Sequence, residues 1–154
     1  MNDKKIKYIV IRVSNVDTHN VVEELDKVLA QRGHVWFGKY GRVIRGISTA
    51  DQPDYRLVLV QRRISQAASY TAKTYRITGY SRLRPKDQAY PEYYKDVIQK
   101  IRTWVKIELA PQYEHVLTED LVVISSASPL AFSLKNSMSS NFTCRLRDDR
   151  VILS

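Results

Sequence analysis

Beyond Gly33 the chain becomes a succession of strand-forming runs cut by short turn signals, and this pattern limits the fold more than any other feature. The runs are Val35 to Tyr40, Arg42 to Ile47, Tyr55 to Arg62 and Tyr70 to Tyr80, separated by Gly41, "TADQPD" and "SQAAS". Each is rich in Val, Ile, Tyr or Thr, and each break contains Gly, Pro, Asp or Ser. A curved or closing sheet is implied. Ahead of it, "IKYIVIRV" over residues 6–13 reads as a mostly buried strand. A helix follows: Asp17 or Thr18 can cap it, Val21, Val22, Leu25, Val28 and Leu29 recur at helical spacing, and Gly33 is its stop.

Further along, Pro91 and Glu92 suit a helix start, and Tyr94, Val97, Ile98 and Ile101 follow helical spacing. From Trp104 the period becomes two. Val105, Ile107 and Leu109 then face away from Trp104, Lys106 and Glu108, which predicts a strand with Trp104 on its polar side. "DLVVISS", a short helix from Ser128-Pro129 to Leu134, "NFTCRL" and a last strand "RVILS" complete the layout. With 154 residues and no repeat or long linker, the expectation is one domain of class α+β.

Several chemistries are missing from the pattern. No apolar run approaches the roughly 18 residues of a membrane helix, and no signal-peptide cleavage site follows "MNDKKIKYIVIRV". No membrane partner is therefore expected. The single cysteine, Cys144, has no disulfide partner in the chain and alternates with Phe142 and Leu146 as a small core residue, so a cytoplasmic setting is expected. Pro53-Asp54 supplies only the first half of a metal-dependent nuclease motif, and His19, His34 and His115 lack metal or hydrolase spacing. There is no nucleophile elbow, P-loop or dinucleotide fingerprint. The sequence thus points to a binding protein that needs no cofactor or metal.

The charge is more telling. Twenty-five Lys and Arg against 16 Asp and Glu leave +9, and arginines recur through the middle of the chain at 42, 45, 56, 62, 63, 76, 82 and 84. Interleaved with them are ten Tyr, two Trp and three Phe. Aromatic faces stack on bases while cations neutralise phosphates, so this combination suits nucleic acid, DNA or RNA. The segment "GHVWFGKYGRVIRG" concentrates both, with Trp36 among glycines that permit close backbone approach. Gly38-Lys39-Tyr40-Gly41 has the GxxG form with which KH domains clamp phosphates, set here among strand formers.

The order of "GHVWFGKYG", "YTAKTYRITGYSRLRPKDQAYPEYY", "WVKIELAP" and "DLVVISSASPLAFSLKNSMSSNFTCRL" resembles an EVE domain, a relative of YTH domains in the PUA-like superfamily, over about residues 33–146. The Tyr90-Pro91-Glu92 element and the strand after it carry the likeness. The resemblance implies a small closed or nearly closed β-barrel with flanking helices, holding a single base, modified or not, between aromatic walls. Its fold would be similar to the readers attached to modification-dependent restriction systems.

On either basis the expected base-binding residues are Trp36 and Trp104 as stacking surfaces, Tyr40 and Tyr94 beside them, and Ser125, Ser126 and Asn141 for base edges. The expected phosphate contacts are Lys39, Arg42, Arg45 and Arg84. The competing reading is a basic protein-interaction or phage-type inhibitor domain, whose partner is an acidic protein. A nucleotide-processing enzyme is the third.

Overall fold

A computed structural model of the chain describes residues 6–13, 20–47, 54–62 and 70–147. The expected strand "RVILS" and the expected caps Asp17 and Thr18 lie outside these. Among the described residues the fold is α+β: seven strands, β1 (Lys7–Val13), β2 (Val35–Tyr40), β3 (Tyr55–Arg62), β4 (Tyr70–Ser81), β5 (Ile101–Leu109), β6 (Leu121–Val123) and β7 (Asn141–Leu146), and two helices, α1 (Val21–Arg32) and α2 (Leu130–Asn136). The strands form a single sheet in the order β2-β5-β4-β3-β1-β7-β6.

The α1 segment forms because its ends are well terminated. The Asn20 side chain accepts a hydrogen bond from the Glu23 N–H at 3.1 Å, and Gly33, at φ 82°, closes the other end with its N–H on the Leu29 carbonyl. Leu25 and Leu29 point from it onto the sheet. Central β1 and β3 are buried on both sides, which accounts for their unbroken Ile, Val and Leu runs. Ile9, Ile11, Leu57 and Leu59 join α1 on one face, whereas Tyr8, Val10, Val58 and Val60 meet Leu130 and Leu134 of α2 on the other. Cys144 is wholly buried in the second layer, where burial pushes its thiol up to about 12.

Three expectations are corrected. The sheet is open, not a barrel: β2 and β6 are its edges and do not pair. Both edges are blunted, β2 because the Trp36 N–H donates to the Ala89 carbonyl at 2.7 Å, and β6 because it is only three residues long with Pro129 bridged to Val122. The predicted strand Arg42 to Ile47 is a loop, in which Gly41 (φ 87°) and Gly46 (φ 98°) take left-handed turns. The predicted helix after Pro91 is two 3-10 turns, Glu92–Asp96 and Ile98–Lys100, and β5 starts at Ile101. Burial of Tyr93 and Tyr94 against the sheet outweighs the helical periodicity of that segment.

On the other side of the sheet Glu114 is 8% exposed and held between two arginines, with Arg56 Nε at 2.9 Å and Arg76 Nε at 3.0 Å from Oε1. The Arg76 hydrogen bond, reinforced by Arg56, overcomes burial and holds the Glu114 carboxyl below its usual 4.5. A folded pKa below the unfolded one gives stabilisation that is complete above the carboxylate range and is lost as pH falls through the folded value. Replacing Glu114 by Gln leaves two guanidinium groups uncompensated and is expected to lower unfolding free energy by about 3 kcal/mol. Urea titrations across pH check this, with the variant losing less stability than the parent between neutral pH and the acid limb.

Candidate functional site

The aromatic candidates come together, but as packing. Trp104 is 1% exposed, and the Tyr90 and Tyr94 rings lie 5.2 and 6.0 Å from its own. Strand alternation does place it opposite Val105 and Ile107, as expected, yet the segment from Tyr90 to Asp96 lies over that face and seals it. The expectation of Trp104 and Tyr94 as open stacking surfaces is corrected accordingly. Tyr94 is also 1% exposed, and its hydroxyl accepts from the Gly38 N–H at 3.2 Å. Gly38 is needed there, since a Cβ would come within 2.8 Å of Ile101 Cγ2 and 3.1 Å of the Trp104 ring.

Trp36 is half-buried at the edge of the same cluster, over Gly79. Its buried indole nitrogen has no partner at hydrogen-bonding geometry, although it lies close enough to Asp87 to favour that carboxylate. Asp87 is raised by burial, but the Ala89 N–H, His34 at 2.8 Å and Trp36 together bring it below its ordinary value. The pairing fastens the 82–89 loop to β2. Arg84 is exposed on that loop. Tyr40 pairs its backbone with Ile101 at a bulge, and its side chain is outside the described residues.

The polar candidates gather elsewhere. Past Gly41 the loop crosses the sheet. The Ile44 N–H donates to Thr103 Oγ1 at 3.1 Å, the Arg45 N–H donates to Asn141 Oδ1 at 2.7 Å, and Gly46 fits against Thr143 and Ile9. This path runs from edge strand β2 to β7 and leaves Lys39, Arg42 and Arg45 beside the serine-rich segment 137–141.

Three cavities adjoin there. One of about 490 Å³ is lined by Lys39, Arg42, Arg45 and Ser137 to Asn141. A second of about 630 Å³ shares Arg45 and Asn141 with it and adds Lys7, Ser125 and Ser126. A third of about 190 Å³ shares Lys39 and Ser140 with the first and adds Arg12. Joined through these shared residues, they form a trough lined by seven of the eleven candidate residues: Lys39, Arg42, Arg45, Ser125, Ser126, Asn141 and, in the smallest cavity, Tyr94.

The trough is strongly cationic. Lys7, Arg12, Lys39, Arg42 and Arg45 line it, no Asp or Glu among the described residues does, and none of the five is in an ion pair with a described residue. Burial lowers the Lys39 pKa, and the like charges of Arg42 and Arg45 lower it further. Arg12 was not singled out by the sequence reading. Its Nε donates to the Ser139 carbonyl at 3.1 Å and its Nη2 to that of Ser137 at 2.6 Å, so it anchors the serine segment. The available signal was a guanidinium inside the otherwise apolar run "IVIRV".

Among the described residues no group of three His, Cys, Asp or Glu is placed to hold a metal ion, and no helix is long and apolar enough to cross a membrane. No protein-family model, curated protein or solved structure matches the chain.

Packing of this kind predicts that Trp104→Ala costs about 3–5 kcal/mol of stability, measured by denaturant unfolding. In a Trp36→Phe variant the remaining indole is expected to resist acrylamide quenching equally with and without an oligonucleotide. Ready quenching would show an open cage instead.

Proposed function

We propose that the chain is a nucleic-acid-binding module that lays the phosphates of a strand along the cationic trough. The observation that carries this is the convergence of Lys7, Arg12, Lys39, Arg42 and Arg45 on one concavity from which described carboxylates are absent. Like charges held together without counter-ions cost folding energy, and a polyanion relieves that cost on binding. Ser125, Ser126 and Asn141 lie on the same walls as donors and acceptors for base edges. Asn141 contributes indirectly as well, since its side-chain Oδ1 accepts from the Arg45 N–H and holds that backbone in place. With Trp104 packed by Tyr90 and Tyr94 and Trp36 set against the same cluster, the reading rests on phosphate contacts, and base stacking between the two indoles forms no part of it.

The test is equilibrium binding of fluorescently labelled single- and double-stranded oligonucleotides across a salt series. Affinity is expected to fall steeply with salt. Arg42→Ala and Arg45→Ala are each expected to flatten the log–log slope by about 0.7–0.9, the share of one phosphate contact, with little dependence on base sequence. Absence of salt-dependent binding to any oligonucleotide defeats the proposal, and capture of an acidic protein under the same conditions favours the protein-interaction reading.

A further inference from the structure

One residue of the trough is neither charged nor polar. Met138 lines the cavity of about 490 Å³ beside Lys39, Arg42 and Arg45, and it is 99% exposed, the most of any large apolar side chain among the described residues. A lone apolar residue at a free loop tip would need no account. The backbone on both sides of Met138, however, is held by a single residue of β1. The Arg12 N–H donates to the Ser140 carbonyl at 2.9 Å, its Nε to the Ser139 carbonyl at 3.1 Å and its Nη2 to the Ser137 carbonyl at 2.6 Å. The Ser137 hydroxyl also accepts from the Ser139 N–H at 3.2 Å, and the Ser137 N–H donates to the Ser133 carbonyl at the end of α2.

This clamp decides where the thioether goes. Ser137 is extended (φ −122°, ψ 145°), and Ser137 and Ser139 are half-buried while Met138 between them stands clear, the alternation of an extended segment. Ile124 repeats the arrangement in the cavity of about 630 Å³: it is 44% exposed, and its N–H donates to the Thr143 carbonyl at 2.9 Å. Apolar surface kept in water costs free energy that is recovered when another apolar face covers it. The neighbouring cations select what brings such a face. A strand whose phosphates rest on Lys39, Arg42 and Arg45 carries bases alongside them, and each base has a flat, weakly polar face. Methionine is unbranched and polarizable and adapts to a surface of that shape. In a duplex both faces of a base are already stacked, and exposing one costs energy that a single strand does not have to spend.

We infer that Met138 is a base contact of the trough, packing on the face of an unstacked base, so that the module takes single-stranded nucleic acid in preference to perfect duplex. The inference rests on the trough being a nucleic-acid site. It adds a strand preference and an apolar contact that phosphate binding does not require.

The experiment uses the full chain with a labelled single strand and the duplex of the same sequence, each titrated across a salt series. The single strand is expected to bind about tenfold tighter than the duplex. Met138→Ala is expected to weaken the single strand about fivefold at every salt concentration without changing the log–log slope, because no phosphate contact is lost. Met138→Leu, which keeps the apolar surface, is expected to stay within about twofold of the parent. The unsubstituted protein gives a direct reading: the bound strand is expected to slow peroxide oxidation of the Met138 thioether, followed by mass spectrometry of its peptide. Parent-like binding by Met138→Ala, a flattened slope in that variant, or an equal loss in Met138→Leu overturns the inference and leaves the phosphate reading standing. So does duplex binding as tight as single-strand binding, or oxidation of Met138 that the bound strand does not slow. Absence of salt-dependent binding to either form overturns both.

Discussion

The parallel pairing of β1 with β3 governs the layout of everything else. Ile9 lies opposite Leu57 and Ile11 opposite Leu59 with both strands running the same way, so the chain cannot pass between them by a hairpin. It leaves β1, runs through α1, adds β2 at the far edge beside β5, and must return across the sheet to start β3. The return path includes the 41–47 loop. Its described anchors are one hydroxyl on β5, one amide oxygen on β7 and a glycine seated on Thr143. Ile44, 3% exposed, fixes the loop to the α1 layer, and the cations on either side of it are left facing outward. The trough follows from this connection: the residues that close one core layer also place the positive charge.

Two arrangements of arginine in this chain show how differently the same group is used. Arg56 and Arg76 grip Glu114, and the ion cluster is internally neutralised apart from one charge. Arg42 and Arg45 are in no ion pair with a described residue and lie near Lys39, whose proton burial loosens and their like charges loosen further. The first arrangement secures the strand face beneath Val116 and the 3-10 turn at Gln112–Glu114. The second stores repulsion at the surface, which favours an incoming anion over any further contact within the chain.

Much of the fold was legible in the sequence, and the failures share a cause. The β1 segment, the body of α1, β2, β3, β4 and β7 follow from local periodicity and capping, which act within a few residues of chain. Arg42 to Ile47 has strand-like composition, but a strand there needs a neighbour, and β2 already occupies the edge beside β5. The aromatic reading of Trp104 failed for a similar reason. Its alternation was right, while the cover supplied by Tyr90 and Tyr94 comes from a different segment. Lys39, Arg42, Arg45 and Asn141 were recognisable by residue type, yet their meeting depends on the Arg45–Asn141 hydrogen bond across 96 residues of chain. Closure into a barrel depends on whether two distant edges meet, and here Ala89 and Pro129 occupy them first.

The solitary thiol of Cys144 makes the sheet self-reporting. It sits on β7 opposite Tyr8 of β1, sealed between the strands and α2, and with its pKa near 12 almost none of it is thiolate at neutral pH. An alkylating reagent therefore finds almost no thiolate in the closed molecule and reacts only when the layer that covers Cys144, with Leu130 and Leu134 of α2 in it, has opened. The labelling rate is a clock for that opening. Asn141, which holds the Arg45 backbone, begins the same strand, so the clock runs on the element that carries one wall of the trough, with no substitution introduced into the protein.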